Sequence, residues 1–367
     1  MRGGVLLEGR AQGKKSEKLC FSVKIYGGKR ADVEHNEKIR LIDAALGELA
    51  AHEDECRLCP HNCGVNRKAG EKGICQSTDR AGISTALLHF GEEPVLSGTG
   101  DFRSKDRLRR RIRGGSGTIF FTGCNLKCLF CQNYQISWLC EGRAVGDHDI
   151  AAVMLDLQKK GALNINFVSP THLIIPILKS LRIAIGRGLD IPLVWNSNGY
   201  EKAAVIRRLE AIVDIYLPDL KYYSPKVAGK FSGAPDYFEH AGPAVKEMFR
   251  QKRGLALDDD DIAVSGLLIR HLILPGQTED SKAILEWVCD HLSPEVSMSL
   301  MSQYHPCFRA PEEIRRPLSG REYRAVLAKA EELGLGNLFI QPEAFTPADH
   351  LVPDFNKDDP FGFDKEK

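Results

Sequence analysis

Residues 117–133 read Gly117-Thr118-Ile-Phe-Phe-Thr122-Gly123-Cys124-Asn-Leu-Lys-Cys128-Leu-Phe130-Cys131-Gln-Asn133. The β-branched and aromatic run from Thr118 to Thr122, stopped by a glycine, predicts a strand that enters a tight loop. Cys124, Cys128 and Cys131 follow on that loop with C-x3-C-x2-C spacing. Three thiolates so spaced can hold three irons of a cubane cluster and leave the fourth iron open as a substrate site. The same cysteines would also suit the buried face of a helix, or three of four zinc ligands. Gly123 and the strand-to-loop position disfavour the helix, and zinc needs a fourth ligand nearby.

Downstream, short apolar or β-branched runs alternate with amphipathic stretches, as a series of βα units requires. After Thr118–Thr122, the strand candidates are Ile165 to Val168, Leu193 to Asn196, Ile215 to Leu220, Leu267 to Leu274 and Met298 to Tyr304. Asp147 can cap a helix that carries Ile150, Val153, Met154 and Leu157 on one face and stops at Gly161. Thr278 can open another, bearing Ile284, Val288 and Leu292. Ser319 and Glu322 have capping-box spacing ahead of Tyr323, Val326, Leu327 and Ala330, with Gly334 beyond. This rhythm predicts an α/β fold, a partial or complete (βα) barrel with right-handed crossovers, although a doubly wound open sheet also fits. In both, function sits at the carboxyl ends of the strands.

Upstream, Asn36 can cap a short helix with Ile39, Ile42, Leu46 and Leu49 on one face. It leads into Cys56-Arg-Leu-Cys59-Pro-His-Asn-Cys63 and, later, Cys75, with C-x2-C-x3-C-x11-C spacing. Four such thiolates can close a zinc site, hold a second iron–sulfur cluster or act as metal-free redox thiols. The chain therefore divides into a flexible N-terminal extension (1–36), a helix plus small Cys-rich module (37–80), a barrel core (81–345) and a C-terminal tail (346–367).

The 367 residues allow two or three units or one barrel. Lys plus Arg number 50 and Asp plus Glu 49, for a formal charge of +1, so whole-chain charge points to neither nucleic acid nor an anionic membrane. At 43% hydrophobic and 27% charged, the composition excludes a mainly disordered chain. No apolar run approaches the roughly 20 residues of a membrane span, and Glu8 and Arg10 interrupt the start too early for a secretory segment. We expect a cytoplasmic protein. There the clustering of cysteines over residues 56–131, out of 11 in all, favours metal ligation over disulfides. Cys20, Cys140, Cys289 and Cys307 are scattered and read as incidental thiols. The basic run 101–113 lacks interleaved aromatics and reads as a solvated loop, and Asp258–Asp261 as a solvated turn.

At Cys124, Cys128, Phe130 and Cys131 the sequence resembles the radical S-adenosylmethionine (radical SAM) superfamily. Within it, it is similar to an uncharacterised branch related to pyruvate formate-lyase activating enzymes, whose C-x3-C-x-aromatic-C pattern puts Phe130 in the aromatic position. The resemblance covers residues 80–345. Trp195-Asn-Ser-Asn198-Gly199 is similar to the family's third-strand T-N-G, and Asp219-Leu-Lys221 to its fourth-strand D-x-K. Arg270 with Pro275-Gly276 resembles the fifth-strand arginine and turn, and Tyr304-His305-Pro306 the sixth-strand Y-H. The resemblance implies a [4Fe-4S] cluster on Cys124, Cys128 and Cys131 with S-adenosylmethionine on the open iron. A low-potential donor such as flavodoxin or ferredoxin would supply the electron. Cleavage to methionine and a 5′-deoxyadenosyl radical would remove a hydrogen atom from the substrate, at an oxygen-sensitive site. Phe130, Ser169, Thr171, Asn198, Asp219, Lys221, Arg270 and His305 become the expected cofactor contacts. Ser169 and Thr171 stand where family members often carry Gly-Gly-Glu, and no carboxylate follows them immediately.

Read singly, these residues keep their plainer alternatives. Asp219 and Lys221 share one strand face and suit a polar barrel mouth or a solvated strand end. Asn198 suits a turn, Arg270 an interior ion pair, and His305 a satisfied structural histidine. The expected function is hydrogen-atom abstraction of the glycyl-radical-enzyme activating type, with another peptide or a small molecule as the alternative substrate. A non-catalytic iron–sulfur or zinc scaffold is the alternative of a different class.

Overall fold

The computed structural model describes residues 34–98, 114–340 and 352–362, together with the backbone of 26–27. Cys20 and the basic run 101–113 lie outside the described residues. In chain order come β1 (Tyr26–Gly27), α1 (His35–Leu49), β2 (Ala81–His89), α2 (Pro94–Ser97), β3 (Ser116–Phe121), α3 (Tyr134–Ser137) and β4 (Arg143–Val145). There follow α4 (Asp147–Lys159), β5 (Ile165–Val168), α5 (Ile174–Gly186), β6 (Leu193–Ser197), α6 (Ala203–Arg207), β7 (Ile215–Pro218), α7 (Pro225–Ser232) and α8 (Tyr237–Lys252). The last are β8 (Ala256–Leu257), β9 (Ala263–Leu272), α9 (Thr278–His291), β10 (Ser297–Met301), α10 (Gly320–Glu332) and β11 (Leu338–Ile340).

The strands β3, β5, β6, β7, β9, β10 and β11 pair as parallel neighbours in that order. Antiparallel β2 flanks β3, and antiparallel β4 flanks β2. Among the described residues, β4 and β11 each pair with one strand only, so the sheet is an open, partial barrel. The predicted strands from Thr118 to Tyr304 are all present, some shifted at an end. That of 215–220 stops at Pro218, which has no N–H for a ladder. The sequence reading passed over β2, β4 and β11.

Period-two alternation sorts the strand residues between two cores. Leu193 and Trp195 of β6, Tyr216 of β7 and Leu267 and Ile269 of β9 pack with the buried faces of the helices. Val194, Ile215, Leu217 and Leu268 form a separate inner cluster with Val95 and Leu96 of α2. One step further along the inner face lie Asn196, Asp219 and Arg270, where the lining turns polar.

Two expected helix starts shift by one or two residues. Asn36 lies inside α1, whose cap is Glu34, and Asp147 is the first residue of α4, capped at Gly146, whose N–H donates to Asp149 (3.0 Å). The Ser319–Glu322 capping box forms as expected. In α1 the buried face carries Lys38, whose ammonium lies 3.1 Å from Asp214 at the start of β7. At the other end, Phe355 and Phe361 are buried against Phe120 and Ile136, so residues 352–362 pack rather than trail.

Lys38 and Asp214 are both buried, so removing the ammonium takes away a cation 3.1 Å from a buried carboxylate. Lys38→Met should lower unfolding stability by about 3 kcal/mol in denaturant titration. A loss below about 1 kcal/mol would show that this pair does not secure α1 to the barrel.

Candidate active site

The loop after β3 turns at Gly123, with φ +78. A Cβ there would stand 2.3 Å from the Cys75 carbonyl oxygen, so only glycine lets the two segments approach. The loop is pinned at several points. Gly123 N–H donates to the Ile136 carbonyl (2.8 Å), Leu129 N–H to Phe231 (2.8 Å) and the Trp138 indole N–H to the Cys128 carbonyl (3.0 Å). From the N-terminal module, His61 Nε2 donates to the Asn125 carbonyl (2.7 Å).

Cys124, Cys128 and Cys131 all line one cavity of about 310 Å³ at the carboxyl ends of the strands. Each sulfur has a polar neighbour. Asn198 Nδ2 donates to Cys124 (3.3 Å), the Ser232 hydroxyl donates to Cys128 (3.1 Å), and Cys131 and the Ser137 hydroxyl lie 3.2 Å apart. Burial pushes the Cys128 thiol up, with Lys221 opposing, and burial pushes that of Cys131 up to about 12. Buried thiols of this kind gain from a bound cation, and N–H and O–H donors suit metal-bound thiolates. The donor set therefore fits an iron–sulfur cluster. In their present rotamers, no three His, Cys, Asp or Glu among the described residues group as ligands of a single metal ion.

Opposite the cysteines lies a buried charge cluster. Arg270 donates from Nε to Asp219 (2.9 Å), from Nη1 to Glu92 (3.3 Å) and from Nη2 to Asn196 (2.6 Å). Lys221 Nζ lies 2.6 Å from the other Asp219 oxygen. Burial opposes ionisation of Asp219, but Arg270 and Lys221 outweigh it and hold the carboxyl below its ordinary range. Glu92 moves the other way, because burial exceeds what the shared Arg270 returns.

Of the expected cofactor contacts, Phe130, Ser169, Asn198, Asp219, Lys221 and Arg270 line the cavity. Ser169 sits there with φ +53. Thr171 and His305 do not line it. The Thr171 hydroxyl donates instead to Glu201 (2.8 Å), a fully buried carboxylate that also accepts from Trp195 Nε1 (2.9 Å) and the Ser197 hydroxyl (2.6 Å). His305 is half-buried in the loop after β10. Sequence reasoning passed over Glu92, His89, Ser137 and Ser232. The only local signal was Gly91-Glu92-Glu93-Pro94 between two apolar runs, which reads equally well as a turn.

Residues 118–288 match the radical SAM superfamily. The uncharacterised protein MJ0674 of Methanocaldococcus jannaschii is 30% identical over 295 residues, covering 77% of this chain and 76% of that protein. A second uncharacterised protein of that organism, MJ0808, is 23% identical over 300 residues, 78% of this chain and 81% of its own length. Among solved structures, SuiB of Streptococcus suis bound to S-adenosylmethionine aligns over 60% of this chain and 48% of its own, at 14% identity and TM-score 0.40. The FeFe-hydrogenase maturase HydG of Carboxydothermus hydrogenoformans aligns over 62% of this chain and 52% of its own, at 15% identity and TM-score 0.41. The alignments thus span about half the length of those solved chains.

Gly123→Ala should cost about 2 kcal/mol or more in unfolding of the metal-free protein, since it adds left-handed strain to a backbone clash. Denaturant unfolding checks this, and a neutral result would mean that the Cys75 segment yields freely.

Proposed function

The chain belongs to the radical SAM superfamily, and on that premise we propose that it is an enzyme whose Cys124, Cys128 and Cys131 hold a [4Fe-4S] cluster with S-adenosylmethionine beside it. The supporting observation is the opening of all three thiols, each with a polar neighbour at its sulfur, onto one cavity that ends in the Asp219–Lys221–Arg270 cluster. Bound there, the cluster and S-adenosylmethionine supply reductive cleavage of a sulfonium C–S bond and hydrogen-atom abstraction.

The chain's own part is placement and exclusion of water. Asn198 orients the Cys124 sulfur, while Ser232, held by the Tyr222 hydroxyl at 2.6 Å, orients that of Cys128. Arg270 fixes Asp219, which in turn fixes Lys221, so these polar groups meet a ligand without reorganising. Phe120, Phe130 and Phe361 supply apolar wall, which keeps a reactive intermediate from water. Glu92 and Ser169 offer oxygen acceptors for a cationic ligand group.

In this reading, a flavodoxin or ferredoxin of low potential delivers the electron. The resemblance of the cysteine loop and strand-end motifs supports abstraction from a glycine of a partner enzyme, the activating type of reaction, and a peptide or small molecule is the alternative substrate.

Anaerobically reconstituted protein, reduced with dithionite, should convert S-adenosylmethionine to 5′-deoxyadenosine. Cys128→Ala should abolish this and lower bound iron by about four per chain. A fully loaded protein that forms no 5′-deoxyadenosine would refute the enzymatic reading. Under the same conditions, a glycyl-radical enzyme partner should show a glycine-centred EPR doublet, and a peptide or small-molecule substrate should not produce one.

A further inference from the structure

We propose that Cys56, Cys59, Cys63 and Cys75 hold a second iron–sulfur cluster, seated against the cysteine loop and securing the backbone on both sides of Cys124. Residues 54–80 contain no helix or strand, yet Cys56, Cys59 and Cys75 are buried, and none of the four is in a disulfide. A segment without ladder hydrogen bonds and with so little apolar mass needs a cross-link to hold its shape.

The backbone gathers the four residues. Cys56 N–H donates to the Val65 carbonyl (3.0 Å), Gly64 N–H to Cys56 (2.9 Å) and Asn62 N–H to Cys59 (3.1 Å). Left-handed Asn62 and Gly64 bring the chain around between them. Across the loop, Gly73 lies so close to Cys63 that a Cβ would stand 2.6 Å from its sulfur, and Cys75 follows two residues later.

Arg67 ties two of the sulfurs together. Its side chain is buried, with Nε donating to the Cys56 sulfur (3.1 Å) and Nη2 to that of Cys75 (3.3 Å). Its Nη1 donates to the His172 carbonyl (2.6 Å), and no salt bridge joins it to a carboxylate among the described residues. Two N–H donors aimed at two sulfurs are the contacts that suit metal-bound thiolates.

The grouping distinguishes the kind of centre. One tetrahedral ion draws its ligands around a single point, whereas a cluster spreads its thiolates over separate irons and tolerates wider spacing. Cys56, Cys59 and Cys63 follow C-x2-C-x3-C spacing, the reverse of the C-x3-C-x2-C of Cys124, Cys128 and Cys131, which suits thiolates on separate irons. With all four irons ligated by protein, this centre has no open substrate position. Its contacts reach the first loop directly, through His61 on the Asn125 carbonyl and through the Cys75 carbonyl beneath Gly123.

The test uses the full chain carrying Cys124→Ala, Cys128→Ala and Cys131→Ala, reconstituted anaerobically with ferrous iron and sulfide. We expect about four irons and four acid-labile sulfides per chain, with an EPR signal after dithionite reduction. Adding Cys63→Ala, at the exposed member of the group, should reduce that iron. Arg67→Lys should keep the iron but move the midpoint potential downward, as N–H donors to sulfur are lost. Stoichiometric zinc without iron or sulfide, or a folded chain without metal, would overturn the proposal. Because the triple variant lacks the first centre, this outcome is separate from any failure of wild-type cofactor cleavage.

Discussion

The open end of the barrel depends on the register of β6, β7 and β9. Val194, Leu217 and Leu268 face inward, so two residues later the inner face must carry Asn196, Asp219 and Arg270. The parallel bridge between Asp219 and Arg270 extends this register past the end of β7. A one-residue slip would send all three polar groups outward among the helices and turn apolar neighbours into the cavity. Hydrophobic burial at the lower end of the barrel therefore places the polar site at the upper end.

That placement carries an electrostatic cost, and the cluster offsets it internally. Glu92 and Asp219 both pair with Arg270, and Asp219 pairs with Lys221 as well. Each bond of the Arg270 fork reaches a different strand or turn, so it also joins β9 to β6, β7 and the turn after β2. Charge pairing and rigidity come from the same contacts.

The two cysteine groups form one neighbourhood. Thr122, Gly123 and Asn125 are touched respectively by His172, by the Cys75 segment and by His61. Burial drives the His172 pKa down to about 3, so its imidazole stays neutral between the module and the loop. The N-terminal module thus shares a wall with the site, even though 48 residues of sequence, β2 and β3 among them, lie between Cys75 and Cys124.

The cysteine loop, the parallel strands, α9 and the Ser319 capping box were legible in the sequence because each is a local pattern. Spacing, alternation and cap chemistry act over a few residues. Short edge strands β4 and β11 and the shifted caps of α1 and α4 were not, since edges and helix ends are chosen by what packs against them. Glu92, Glu201 and Arg67 acquire their roles from partners distant in sequence: Arg270, Thr171 and His172. The amino-acid sequence alone determined which groups are available and the period at which they face inward. Only the tertiary structure decided which of them meet, because burial pairs charges by distance in space and not by separation along the chain.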